Sequence, residues 1–152
     1  MKKFKDINEV LTFAINQEQE AINFYSELAE QAKSNDIKET FYDFVKEEMQ
    51  HKAKLMKIKM EGSFSDIKNE KVQDLMISDY LVPVKPTAEM TYQQALIVVM
   101  KKERAAYRLY KNLSKMSPTK ELKDLFYLLA LEEANHKLQF EQEYDDVILT
   151  EN

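Results

Sequence analysis

The chain repeats itself at a fixed spacing. Glu18 and Glu103, Tyr25 and Tyr110, Phe41 and Phe126, Glu47 and Glu132, Glu48 and Glu133, and His51 and His136 are each 85 residues apart, with no gap. Asp6 and Thr91, Glu9 and Gln94, Leu11 and Leu96, Ala21 and Ala106, and Leu28 and Leu113 keep the same offset. A constant period of this kind means that one structural unit occurs twice. The chain must therefore build two similar halves, and a fold that cannot accept an internal pseudo-symmetry is ruled out.

Within each half the apolar spacing is helical. Val10, Leu11, Ala14, Ile15, Ile22, Tyr25, Leu28, Ala29 and Ala32 form a first stripe, and Ile37, Phe41, Phe44, Val45, Leu55 and Ile58 a second. Leu96, Val99, Met100, Ala106, Tyr110 and Leu113 form a third, and Leu122, Leu125, Phe126, Leu129, Ala130, Phe140 and Tyr144 a fourth. Asp6 with Glu9, and Thr91 with Gln94, have the spacing of a capping box. Ser117 before Pro118 reads as an N-cap and first helical residue. Ser34-Asn35-Asp36 reads as a short turn, and Gly62 as a helix stop. With one Gly and three Pro in 152 residues, long helices are favoured over many turns. The expected helices span roughly 6–33, 36–61, 91–115 and 118–145. Residues 62–90, with a short helix expected around 66–79, are long enough to run the length of a bundle. The expected architecture is all-α: one domain over 1–152, a four-helix bundle of two antiparallel hairpins, 6–61 and 91–145, joined by the 62–90 crossover.

Polar residues interrupt each stripe at one level. Glu18 falls between Ala14/Ile15 and Ile22/Tyr25, and Glu103 between Val99/Met100 and Ala106/Tyr110. Glu48 and His51 fall between Phe44/Val45 and Leu55, and Glu133 and His136 between Leu129/Ala130 and Phe140. These are the chain's two His, both in Glu-x-x-His and both repeat-related. Residues i and i+3 share a helix face, so each pair can reach one ion. Four buried carboxylates are costly unless compensated, and two divalent cations match their charge. One carboxylate from each of two helices plus Glu-x-x-His from the other two is the ligand set of di-iron and di-manganese bundles. Glu18, Glu48, His51, Glu103, Glu133 and His136 are thus the candidate metal ligands, through which any catalysis would act. Without ions, burial and mutual repulsion are expected to raise the pKa values of the four carboxylates. Glu20, Glu47 and Glu132 lie off the stripe centres and read as solvated, a supporting role to the ligands staying open for the last two. Tyr25 and Tyr110, two turns beyond Glu18 and Glu103, read either as core tyrosines or as groups orienting a ligand carboxylate.

The stretches AINQEQEAINFYSELA, FVKEEMQHKAKL, VVMKKERAAYRLYKNLS and LALEEANHKLQF resemble the rubrerythrin branch of the ferritin-like superfamily. The resemblance implies a ferritin-like bundle holding two iron ions; carboxylate-rich ligands take manganese as well, so it is possible at one or both positions. The resemblance implies Glu18 and Glu103 as terminal ligands, Glu48 and Glu133 as bridges, and His51 and His136 as one nitrogen ligand per metal. It further implies an oxidoreductase acting on hydrogen peroxide or dioxygen, and a homodimer. Typical rubrerythrins carry a Cys-bound iron in a rubredoxin domain, and this chain has no Cys, so the electron donor is expected to be a separate protein. Rubrerythrins proper also place a further carboxylate one turn after the third-helix ligand, where Ala106 stands here. The site is therefore expected to resemble the symmetrical six-ligand type of bacterioferritins, without ligand exchange through that carboxylate.

The same ligands would serve a ferroxidase, an iron-handling protein or a di-manganese catalase, and an inward Glu/His network without metal would make a helical interaction module. The net charge of -5 and the lack of a basic stripe argue against nucleic acid. No apolar run is long enough for a membrane span, and no secretory h-region is present. A cytoplasmic location is the expectation.

Overall fold

A computed structural model describes residues 3–64, 67, 69–82 and 90–151. Four long helices dominate it: α1 (Ile7–Gln31), α2 (Asn35–Glu61), α4 (Tyr92–Met116) and α5 (Lys120–Glu151), with a short α3 (Asn69–Gln73) in the crossover. The architecture is the all-α, ferritin-like bundle that the repeat predicts. A 3-10 turn at Ile77–Asp79 follows α3, so the single helix expected around 66–79 is two shorter pieces; residues 65, 66 and 68 and the prolines at 83 and 86 lie outside the described residues.

The helix ends are fixed by local chemistry. Asp6 Oδ1 accepts the Glu9 backbone N–H (2.9 Å), and Ser34 Oγ accepts that of Ile37 (3.1 Å). Thr91 and Gln94 complete a reciprocal capping box, with Thr91 Oγ1 accepting from Gln94 N (3.1 Å) and Thr91 N donating to Gln94 Oε1 (3.0 Å). Each such cap satisfies donors that the helix itself leaves orphaned. Two expectations change at the far end. Thr119, not Ser117, caps α5, its Oγ1 accepting from Leu122 N (3.3 Å). Ser117 instead closes α4, its hydroxyl donating to the Leu113 carbonyl (2.7 Å). The fourth helix also runs on to Glu151, beyond the expected 145, because nothing between 145 and 151 breaks a helix.

The close pairs are α1 with α2 and α4 with α5, two hairpins, with α1 lying against α4. Contacts between α2 and α5 pair His51 with Glu132 and His136 with Glu47; one number rises as the other falls, so these helices run antiparallel. The core is split in two. One apolar cluster gathers Leu11, Leu55, Leu113, Phe126 and Leu129 with Phe64, Val72, Leu75 and Tyr80 from the crossover. The other gathers Phe24, Tyr25, Phe41, Phe44, Leu96, Val99 and Phe140. Burying each of these large side chains contributes about 1.5–3 kcal/mol relative to exposure. The described residues of the crossover thus pack over one end, with Phe64 edge-on to Phe126 at 5.4 Å. The level between the clusters is where the polar residues sit. Among the described residues no helix is long and apolar enough to cross a membrane.

The α2 terminus gives a test. Gly62 is left-handed (φ 65°, ψ 30°), and the N–H groups of Gly62 and Ser63 close back on the Lys59 and Ile58 carbonyls. A Cβ there would meet nothing within 4 Å, so only backbone strain opposes a side chain. Gly62→Ala should lower stability by about 1–2 kcal/mol, and Gly62→Asn by less. Urea unfolding of both variants checks this, and an Ala variant as stable as the parent would contradict the αL cap.

Candidate metal centre

Six of the bundle's polar residues are almost completely enclosed: Glu18, Glu48, His51, Glu103, Glu133 and His136 are each no more than 2% exposed. They come from all four long helices at one level, as the stripe interruptions predict. His51 Nδ1 is 2.8 Å from Glu133 Oε1, 3.7 Å from Glu18 Oε1 and 3.9 Å from Glu48 Oε2. Its repeat mate His136 Nδ1 is 2.9 Å from Glu48 Oε1 and 3.8 Å from Glu103 Oε2. The 2.8 and 3.7 Å contacts of His51 match the 2.9 and 3.8 Å contacts of His136, and the two imidazoles lie 15° from parallel with centroids 6.5 Å apart. The sequence repeat is therefore a spatial pseudo-twofold.

The outer nitrogens of both rings have partners that the stripe argument misses. His51 Nε2 meets Glu132 Oε2 at 2.5 Å, and His136 Nε2 meets Glu47 Oε2. Glu47 and Glu132 are thus not merely solvated; each sits beside a candidate ligand on its own helix and grips the His of the opposite half. This contact fixes the tautomer, leaving Nδ1 of each ring unprotonated and aimed inward when the ring is neutral. The signal was in the sequence, since both halves read Glu-Glu-x-x-His; a helix-face argument places the first Glu off-axis, and the contacts decide for the supporting role left open. Glu20 is exposed as expected and pairs with Lys102 (3.3 Å).

The two tyrosines divide. Tyr110 Oη donates to Glu18 Oε1, the orienting role left open for it. Tyr25 packs its ring on Phe140 at 5.1 Å, and both oxygens of Glu103 are without a hydrogen-bond partner, so the mirror contact is not made. Tyr25 is the core tyrosine of the pair.

Among the described residues, seven buried side-chain atoms lack a hydrogen-bond partner: Glu18 Oε2, Glu48 Oε1, His51 Nδ1, both Glu103 oxygens, Glu133 Oε1 and His136 Nδ1. All belong to this cluster. With both rings neutral these atoms are all acceptors facing one another; an unsatisfied buried polar atom costs about 1–3 kcal/mol, so the bare, unprotonated cluster would cost on the order of 10 kcal/mol, comparable to the whole stability of a domain. Something must satisfy them, and their spacing fits cations. Ligand atoms around one ion at bonds of about 2.1 Å and right angles stand about 3 Å apart, as do the His–Glu pairs at 2.8 and 2.9 Å. Two groups of four could each hold an ion: Glu18, Glu48, His51 and Glu133, and Glu48, Glu103, Glu133 and His136. Glu48 and Glu133 belong to both. The class that fold and site define is a helical bundle with a buried carboxylate–histidine centre able to hold two metal ions.

The family follows from comparison: the rubrerythrin family model matches residues 9–144, and the chain belongs to that family. No curated protein and no solved structure gave a match.

Without ions the cluster rearranges its protons. Burial, then the charges of Glu133 and Glu18, push Glu48 well above the usual carboxylate range, and burial and Glu133 do the same to Glu103. Glu133 departs from the expectation that all four rise: burial raises it, but Glu103, His51 and Glu48 together stabilise its anion and hold it low. Burial opposes charge on His51, yet the contacts to Glu132, Glu133 and Glu18 outweigh it and push the ring up to about 12. Protons thus take over part of the charge balance. Raised groups bind more protons folded than unfolded, so stability falls as pH rises from each unfolded value toward the folded one. For Glu48 and Glu103 that fall begins near 4.5; for His51 it begins near 6.5 and extends to about 12. Glu133, held low, acts only below its ordinary value. The metal-free protein should therefore melt at steadily lower temperature from about pH 5.5 to 8.5, and saturating Mn(II) should flatten that slope. A metal-free melting temperature independent of pH would contradict it.

Proposed function

We propose that the chain is a di-iron peroxidase that reduces hydrogen peroxide to water with electrons from a separate donor protein. The observation that carries the reading is the pair of four-ligand groups sharing Glu48 and Glu133. Carboxylate-rich sites accept iron or manganese, and membership of the rubrerythrin family favours iron. Glu18 and His51 would hold one ion and Glu103 and His136 the other, with Glu48 and Glu133 available to both. A reduced pair of ions bound there supplies the two electrons and the Lewis acidity that cleavage of an O–O bond requires; overall, H2O2, two protons and two electrons give two waters.

The chain's own residues prepare that chemistry. Glu132 and Glu47 hold the imidazoles in one orientation. Tyr110, kept protonated by burial and by the charges of Glu18 and Glu133, holds Glu18 by one oxygen. A cavity of about 30 Å³ opens beside Glu18 and Glu103 between α1 and α4, with Ala14, Ala21, Ala105 and Ala106 in its walls. It has room for a molecule of water size, which suits peroxide or dioxygen. Ala106 contributes space where a longer side chain would fill it.

The reduced, iron-loaded protein should be oxidised faster by peroxide than by dioxygen in stopped-flow absorbance. His51→Ala and His136→Ala should each abolish the fast phase, since each removes a nitrogen ligand. Faster oxidation by dioxygen would make the protein a ferroxidase instead, and unchanged peroxide rates in both variants would refute the site. Glu47→Gln and Glu132→Gln should each weaken Fe(II) binding roughly ten- to a hundredfold. Equilibrium titration measures this, and wild-type affinity in both would show that the outer carboxylates do not support the ligands.

A further inference from the structure

The pseudo-twofold is broken on one face. The chain has two arginines, Arg104 and Arg108, one turn apart on α4, and both are exposed. They line an open groove between α4 and α5 with Tyr107, Ala134, Lys137, Leu138 and Glu141. Lys137 is paired with Glu141, and Lys111 stands over the Tyr107 ring at 5.7 Å. Neither arginine enters an ion pair among the described residues. At the repeat-equivalent positions of the first half stand Gln19, Asn23 and Lys52. These satisfy one another: Lys52 donates to Gln19 (2.6 Å) and Gln19 to Asn23 (2.9 Å). One half thus closes its groove with neutral amides, and the other leaves two unpaired guanidinium groups in a chain of net charge -5.

The groove is also next to the buried centre. Arg104, Ala134 and Lys137 directly follow Glu103, Glu133 and His136 in sequence, three of the four groups around the second candidate position. Leu138, 60% exposed, adds an apolar element beside the charges, the usual make-up of a transient protein contact.

We propose that the Arg104–Arg108 groove is the docking site of the separate electron donor, a small one-electron carrier protein with an acidic rim around its redox group. The inference rests on the peroxidase reading. Each encounter passes one electron from carrier to centre and oxidises the carrier by one unit. Two encounters supply the two electrons consumed with two protons when one H2O2 becomes two waters. The unpaired arginines steer the acidic carrier, and the one-residue step from groove to ligands keeps the transfer path short.

The test is stopped-flow reduction of the oxidised, iron-loaded protein by a reduced acidic plant-type ferredoxin, between about 0.02 and 0.3 M salt. The parent rate should fall steeply with salt. Arg104→Glu/Arg108→Glu should lose about tenfold or more at low salt, and Arg104→Gln/Arg108→Gln should lie between. Gln19→Glu/Asn23→Glu, with two added negative charges at the equivalent groove, should lose far less. Calorimetric titration of ferredoxin into the metal-free proteins should rank them in the same order. Iron content and dithionite reduction should match the parent throughout. A parent that ferredoxin does not reduce, equal rates in parent and Arg variants, or equal losses at the two grooves would overturn the docking site. Loss of iron content or of dithionite reduction in the parent would instead overturn the peroxidase reading.

Discussion

Four carboxylates and two imidazoles are buried at one level of a helical bundle, and the rest of the molecule is arranged around that cost. Charges of one sign in a dry interior repel, and seven of their atoms have no hydrogen-bond partner. The core cannot be continuous across such a level, so it forms two apolar clusters, one on each side. Phe64, Val72, Leu75 and Tyr80 from the crossover are buried against one end and strengthen it. The hairpins bring the ligand pairs together, and the antiparallel α2–α5 contact lets each half brace the other's histidine.

The bracing shows how function and stability share residues. Glu132 and Glu47 lie at the rim, their side chains 28% and 41% exposed, so they remain hydrated while holding fully buried rings. A buried carboxylate in their place would add charge to a cluster that already has an excess. At the centre, Glu48 and Glu103 are driven toward their neutral forms while Glu133 stays ionised. Mutual repulsion does not act equally on all members, because the first carboxyls to take up protons stabilise the remaining anion.

Much of this was legible in the sequence, for identifiable reasons. The gapless 85-residue offset located the hairpins, and the stripe interruptions located all six side chains of the buried Glu/His cluster, because a helix of constant pitch carries residues i and i+3 to one face. Boundary details were less legible. Ser117 and Thr119 are both good capping residues flanking Pro118, and only packing decides which caps α5. For Glu47 and Glu132 the supporting role stays open at the level of sequence, because side-chain reach, unlike helical position, is not written in a periodicity. The repeat also over-predicted symmetry: Tyr110 holds Glu18, whereas Tyr25 joins an aromatic cluster with Phe140 and Phe41, and the two arginines of α4 have only amide counterparts on α1.

The central claim is that Glu48 and Glu133 serve two ions at once, and an anaerobic Fe(II) titration followed by Mössbauer and electron paramagnetic resonance spectroscopy tests it most directly. The account predicts saturation at about two irons per chain, with the two spins coupled through the shared carboxylates. Saturation at one iron, or two irons with no magnetic coupling, would contradict it.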